Sequence, residues 1–298
     1  MPSVDLGRVG LWTAALEAVS PQQAREAVAE LDEQSWGTLW IAEAYGREAF
    51  THSALLLAAT RRIRVATGIA NIWGRDAIAA NAATRTLGAM SGGRFVLGLG
   101  VSHQPLVDRL RGGSYGKPVA AMRAYLEAMA GATFVAAEAA EPRPPILVAA
   151  LGPKMLEVAR ELADGSHPYL ITPDQTAQVR AALGPDKTVA VELGAVLTTD
   201  RETALRRAHS HLEIYTGLPN YRNNWLRNGF EDSDLVRGGS DRLVDALLAW
   251  GEEEAILARV REHLDAGADH VCVQVLMDTP FDLPAEEWRR LSPALAEA

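Results

Sequence analysis

The chain has 298 residues, 48% of them hydrophobic and 22% charged, with a formal charge of −9 at pH 7. This balance excludes disordered and collagen-like classes, and it disfavours nucleic acid and anionic membranes as partners. The lone cysteine, Cys272, leaves no disulfide framework and no cysteine-rich metal site.

Residues 8–13 are a short apolar run and predict a first strand. Ser20, Pro21 and Gln23 spell a helix start: Ser20 caps, Pro21 suits the first helical position and Gln23 closes a capping box. Strands are predicted over 38–42, 63–69 and 94–99, separated by helices capped by Thr51 and Asp76. Residues 101–117 carry Gly112, Gly113 and Gly116 and predict a functional excursion. A helix over 118–130 and a Pro- and Ala-rich connector over 138–145 follow. Further strands are predicted over 145–149, 169–171, 188–197 and 270–276. Helices precede the last of these over 241–250 and 252–266, and residues 217–240 predict an irregular insertion. No apolar run reaches the roughly 18 residues of a membrane span, and the N-terminal residues 1–5 lack signal-peptide order, so a cytoplasmic protein is expected.

Eight strands alternating with helices argue for parallel pairing, and eight is the number that closes a (β/α)8 TIM barrel. A doubly wound open sheet is the competing α/β arrangement. A single domain over 1–298 is expected, with insertion loops around 101–117 and 217–240.

In such a barrel, functional groups sit at the C-terminal ends of the strands. At one such end, Ala149, Ala150, Leu151 and Gly152 precede Pro153, which opens a helix. Unpaired amides at a helix start hold phosphate well, and Lys154 adds a cation; an ordinary strand-to-helix turn looks the same. Gly68 permits either close approach to a ligand or a bulge, and Asn71 offers a donor and an acceptor. Gly98 and Gly100 lack the third glycine of a dinucleotide fingerprint, which argues against a classical NAD site. His103 is a candidate acid or base, or a structural hydrogen-bonding group. Glu43 is a candidate functional carboxylate, with Arg47 as its candidate ion-pair partner. Trp12 and Trp73 are either walls for a flat ligand or plugs of the barrel mouth. His209 and His211 do not share a helical face, and no metal site is expected.

Residues 39–47, 67–72, 92–100, 149–154, 218–225 and 266–271 together resemble the luciferase-like monooxygenase superfamily. The likeness is greatest to its actinobacterial branch, dependent on the deazaflavin coenzyme F420, and it covers almost the whole chain. The resemblance implies a (β/α)8 barrel, a homodimer, and a flavin or deazaflavin lying across the strand ends. It implies a non-prolyl cis peptide at Gly68–Ile69 backing the ring, with Ala70 and Asn71 next. It places the cofactor phosphate at the amides around Ala150, Leu151 and Gly152. It sets Val101, Ser102, His103 and Gln104 against the ribityl chain or phosphate. Dehydrogenases of this group that oxidise alcohols or sugar phosphates carry a histidine after the acidic residue of the second strand. Here that pair is Glu43-Ala44, so their base is missing and alcohol oxidation by that route is not expected. Glu43 keeps the acidic position and is placed for contact with the ring.

The implied activity is hydride transfer between F420 and a small organic substrate, with reduction of an activated C=C or C=N bond preferred. An FMN-dependent monooxygenase and a non-catalytic flavin-binding protein are the alternatives. A phosphate-handling isomerase or aldolase would need a Schiff-base lysine or paired carboxylates, and neither is found at the strand ends.

Overall fold

Parallel strands cannot be joined by hairpins, so each needs a crossover, and helices fill those crossovers here. The computed structural model describes residues 4–44, 46–110, 115–136, 142–296 and 298. Gly112, Gly113 and residues 138–141 of the expected connector lie outside the described residues. The strands are β1 (Val9–Thr13), β2 (Thr38–Ile41), β3 (Arg64–Thr67), β4 (Ala70–Asn71), β5 (Phe95–Gly100), β6 (Ile146–Val148), β7 (Gly165–Ser166), β8 (Thr188–Leu197), β9 (Ala249–Gly251) and β10 (His270–Val275).

Eight of them close a ring in the order β1-β2-β3-β5-β6-β7-β8-β10, every pair parallel. Cys272 opposite Glu192 and Val271 opposite Val9 complete the closure. β4 resumes the line of β3 after two residues and pairs with β5, while β9 adds to β8 outside the ring. This is the (β/α)8 barrel. The strands read as nearly continuous apolar runs because both faces are covered; all ten residues of β8 are buried.

The barrel interior is filled around Trp40, with Ala66, Val96, Leu147, Ala190 and Cys272 in the same cluster. Small neighbours leave the volume that one indole occupies. Its N–H donates to His270 Nε2 at 3.0 Å, and His270 Nδ1 meets the Gly7 carbonyl at 2.7 Å. The His167 ring stacks on Trp40 with centroids 4.1 Å apart. Outside the ring, the larger core packs helices onto strands. Ser20 and Gln23 make the expected capping box, and Asp76 caps its helix. Thr51 does not cap: Glu48 accepts from the Phe50 and Thr51 amides and so opens the helix Ala49–Leu57.

Four expected segments differ. The sixth strand is Gly165–Ser166, not 169–171. Tyr169, Leu170 and Ile171 have strand-like side chains, but close pairing selected a residue without one. A Cβ at Gly165 would stand 2.1 Å from the Thr188 carbonyl oxygen. The helix expected over 241–250 ends at Leu247, and Ala249–Gly251 pairs with β8 instead. Residues 217–240 are not wholly irregular, since Pro219–Arg227 is helical. Within 101–117, Gln104–Leu110 is also a helix. Among the described residues no helix is long and apolar enough to cross a membrane.

Gly165→Ala forces β7 and β8 apart, because the new methyl meets backbone rather than a movable side chain. The variant should lose about 3 kcal/mol or more in urea denaturation, the range of overpacked, strained sites. Wild-type stability would contradict this pairing.

Candidate functional site

A cavity of about 1100 Å³ opens at the C-terminal ends of the strands. Its floor is where the barrel filling stops. The Trp12 indole N–H donates to the Gly68 carbonyl at 2.9 Å, and the Gly68–Ile69 peptide is cis. His167 lies beneath, with Nδ1 2.8 Å from the Ala190 carbonyl and Nε2 buried without a partner. Burial pushes its pKa down to about 4, so the ring is neutral.

Three chemically distinct walls rise from this floor. The first follows β6. The helix Pro153–Leu162 has Gly152 at its N-cap and no side-chain cap. Among the described residues, the amides of Ala150, Leu151 and Gly152 have no protein acceptor. Lys154 and Arg227 reach the same wall, and neither has a carboxylate partner among the described residues. Arg227 is oriented by the Asn224 side-chain oxygen at 3.2 Å. Free amides, the helix dipole and two cations make this end suited to an anion despite the net charge of −9. Ser102, at φ 54°, and His103 lie on the cavity wall as well, and burial lowers the His103 pKa.

The second wall is acidic. Glu43 is held by the Arg75 guanidinium (Nη1 to Oε2 3.1 Å), by the Asn71 amide at 2.7 Å and by the Ala49 amide at 3.3 Å. Its side chain is 4% exposed. Both oxygens are occupied, so Glu43 pins the ends of β2 and β4. Arg47 is not its partner; that guanidinium donates to the Leu16 and Val19 carbonyls. Glu17 is different. It stands in the short helix Ala15–Ala18 after β1, and its Oε1 is buried without a partner. Burial first, then the charge of Glu43, raise its pKa to about 7, against the lowering pull of the Gly46 and Ala44 backbone and of Arg47. Gly46 leaves it room: a Cβ there would meet Glu17 Oε2 at 2.5 Å.

The third wall is aromatic. Tyr169 comes from the loop after β7, His211 and Tyr215 from the helix Arg201–Tyr215, and Tyr221 from Pro219–Arg227. Ring centroids are 5.4 Å apart for Tyr169–Tyr215 and 5.0 Å for Tyr215–Tyr221. Tyr215 donates to the Tyr169 hydroxyl at 3.2 Å, and Tyr169 donates to Gln274 Oε1 at 2.6 Å.

Of the residues expected from sequence, all but four line this cavity. Ala70 is fully buried in β4. Asn71 uses its side-chain oxygen on the Trp73 amide at 3.0 Å. Trp73 does not wall the cavity; its indole N–H supports the Val101 carbonyl at 2.9 Å from behind. Gln104 opens its helix and faces solvent. Sequence reasoning missed Glu17, Arg227 and the aromatic wall. His211 and Tyr215, four apart on one helix, do share a face, which was an available signal.

Residues 3–270 match the family model described as luciferase-like monooxygenase. A Mycobacterium tuberculosis protein named as a coenzyme F420-dependent oxidoreductase is 28% identical over 251 residues, covering 70% of this chain and 72% of that protein. The solved coenzyme F420-dependent tetrahydromethanopterin reductase of Methanopyrus kandleri superposes with a TM-score of 0.71 at 17% identity, covering 96% and 97% of the two chains. The FMN complex of a type II Baeyer-Villiger monooxygenase from Pseudomonas putida gives 0.72 at 16% identity, covering 97% and 98%.

Glu17 gives the site a measurable pH signature. Its folded pKa is raised from 4.5 to about 7, so the folded chain holds more protons than the unfolded chain across that window. Stability therefore falls as pH rises through the window and levels off above it. Glu17→Gln should flatten this part of the profile in urea titrations between pH 5 and pH 8; identical slopes in the variant would contradict the assignment.

Proposed function

The chain belongs to the luciferase-like monooxygenase family, and on that premise we propose that it is an F420-dependent oxidoreductase. It passes a hydride between the deazaflavin and a small organic substrate. The observation that carries this reading is the pairing, in one cavity, of an anion-holding end with a floor made of the Gly68–Ile69 backbone, Trp12 and the neutral His167 ring. The amides of Ala150, Leu151 and Gly152, with Lys154 and Arg227, suit the phosphate-bearing tail. The backbone of Gly68 and Ile69, braced by Trp12, suits the flat ring. Val101, Ser102 and His103 close the side between them. The M. tuberculosis relative favours F420 over FMN, whereas the fold by itself accommodates either.

When bound, the deazaflavin supplies two electrons as hydride. The protein then has three tasks. The helix start and its two cations hold the anionic end. The Glu43–Arg75 pair keeps the ends of β2 and β4 in place, and those ends would border the ring. Glu17 holds a proton near neutral pH and faces the cavity, where it is placed to deliver that proton to substrate. Ala44 provides no imidazole to deprotonate an alcohol. A wall acid poised near neutrality, without that base, favours reduction of an activated C=C or C=N bond.

Absorption and fluorescence titrations with F420 and FMN test the cofactor. F420 should bind at least tenfold more tightly; preference for FMN would overturn this reading in favour of an FMN-dependent monooxygenase. Lys154→Ala and Arg227→Ala should each weaken F420 about tenfold, the scale of one charge-assisted hydrogen bond. Unchanged affinity in both would remove the tail from this end.

A further inference from the structure

The aromatic wall differs from the rest of the cavity in carrying no charge of its own. Tyr169, Tyr215 and Tyr221 have pKa values raised by burial, and His211 is pushed down to about 4, so all four rings are neutral at ordinary pH. Glu192, close to the three tyrosines, is raised to about 8 by burial and stays protonated near neutrality. At the adjoining rim Arg207 pairs with Asp278 at 3.1 Å and Arg237 pairs with Glu213. A charged group seated among these rings would lose its hydration without meeting a counter-ion there, the cations Lys154 and Arg227 standing at the other end of the cavity.

The hydroxyls are arranged asymmetrically. Those of Tyr215 and Tyr169 are spent in the relay to Gln274. The Tyr221 hydroxyl has no protein partner among the described residues, although its ring is 6% exposed and lines the cavity. The His103 ring lies 5.8 Å from the Tyr221 ring and joins this wall to the anion-holding end. The wall is firmly built. The Tyr169 backbone leads into Leu170, held at φ 54°. The Leu170 amide donates to Glu192 at 3.3 Å and its carbonyl accepts from the Trp225 indole at 3.1 Å. A conformation costly for leucine is fixed from both sides, and Tyr169 is held against the cavity as a result.

We infer that the substrate of this enzyme is an uncharged, flat, conjugated molecule carrying a carbonyl or imine acceptor, lodged among the mutually tilted rings of Tyr169, Tyr215 and Tyr221 with that acceptor bound by the Tyr221 hydroxyl. The rings supply edge and face contacts to an aromatic ligand at low entropic cost. The single free hydroxyl supplies orientation, since polar groups in an apolar cavity decide pose more than affinity. This inference deepens the proposed reduction and rests on it for the word substrate, but the binding it describes is independent of the cofactor.

The probe is 1-indanone, titrated by calorimetry into the apo-protein and into the F420-saturated protein. The comparators are indane, which lacks the acceptor, cyclohexanone, which lacks the flat conjugated face, and 2-naphthoate, which carries a charge. 1-Indanone should bind at least fivefold more tightly than indane and cyclohexanone in both forms of the protein, and than 2-naphthoate in the F420-saturated form, where the anion-holding end is filled. Tyr221→Phe should weaken it about fivefold while leaving indane unchanged, and Tyr221→Leu should weaken both. Thermal unfolding and circular dichroism establish that the variants are folded, and Tyr221→Phe alone is sufficient if Tyr221→Leu is not. Equal affinity of 1-indanone for wild type and Tyr221→Phe, tighter binding of 2-naphthoate to the F420-saturated protein, or displacement of 1-indanone by F420 would each overturn the inference. Failure of F420 to bind would instead overturn the cofactor assignment, and the apo-protein titration would still decide this one.

Discussion

The stack of Trp40 on His167 sets the height at which the barrel interior ends and the site begins. Trp40 fills the centre of the ring, and its N–H has one acceptor, His270 Nε2. That bond obliges His270 to carry its proton on Nδ1, which then meets the Gly7 carbonyl. Losing any member would leave a buried polar group unpaired, at about 1–3 kcal/mol. His167 sits on the indole, neutral, and the Gly68 backbone and Trp12 lie at the next level. Above that level there is space. A smaller residue at 40 would lower the floor, and a bulkier neighbour in place of Ala66 or Ala190 would tilt the stack.

From this floor the cavity sorts charge by direction. Cations and free amides gather after β6, where a helix begins without a side-chain cap. Carboxylates gather after β1 and β2, where one is saturated by Arg75 and the other is left to burial. Neutral rings gather after β7 and along two helices of the 201–227 region. The two glutamates show how environment divides one chemical type into two states: ion pairing fixes Glu43, and desolvation raises the pKa of Glu17 to about 7. Their mutual repulsion sharpens the division, because the charge of Glu43 raises the pKa of Glu17.

The chain's own sequence determined the alternation of strands and helices, and with it the closed parallel barrel. It determined the helix starts at Ser20 and Asp76, the close backbone at Gly68, and the strand-to-helix turn without a side-chain cap at 149–154. These are local properties: period, capping chemistry and glycine placement act over a few neighbouring residues and can be read in order. The tertiary structure decided the rest. Arg75 reaches Glu43 across 32 positions, displacing the nearer Arg47. Gly165 became the sixth strand because Thr188 approaches too closely for a side chain, and the more strand-like Tyr169 was released into the wall. The protonation of Glu17 and the neutrality of His211 follow from desolvation, and the aromatic wall gathers residues from 169 to 221. Pairing and burial depend on which distant segments the closed ring brings together, and no spacing along the chain records that.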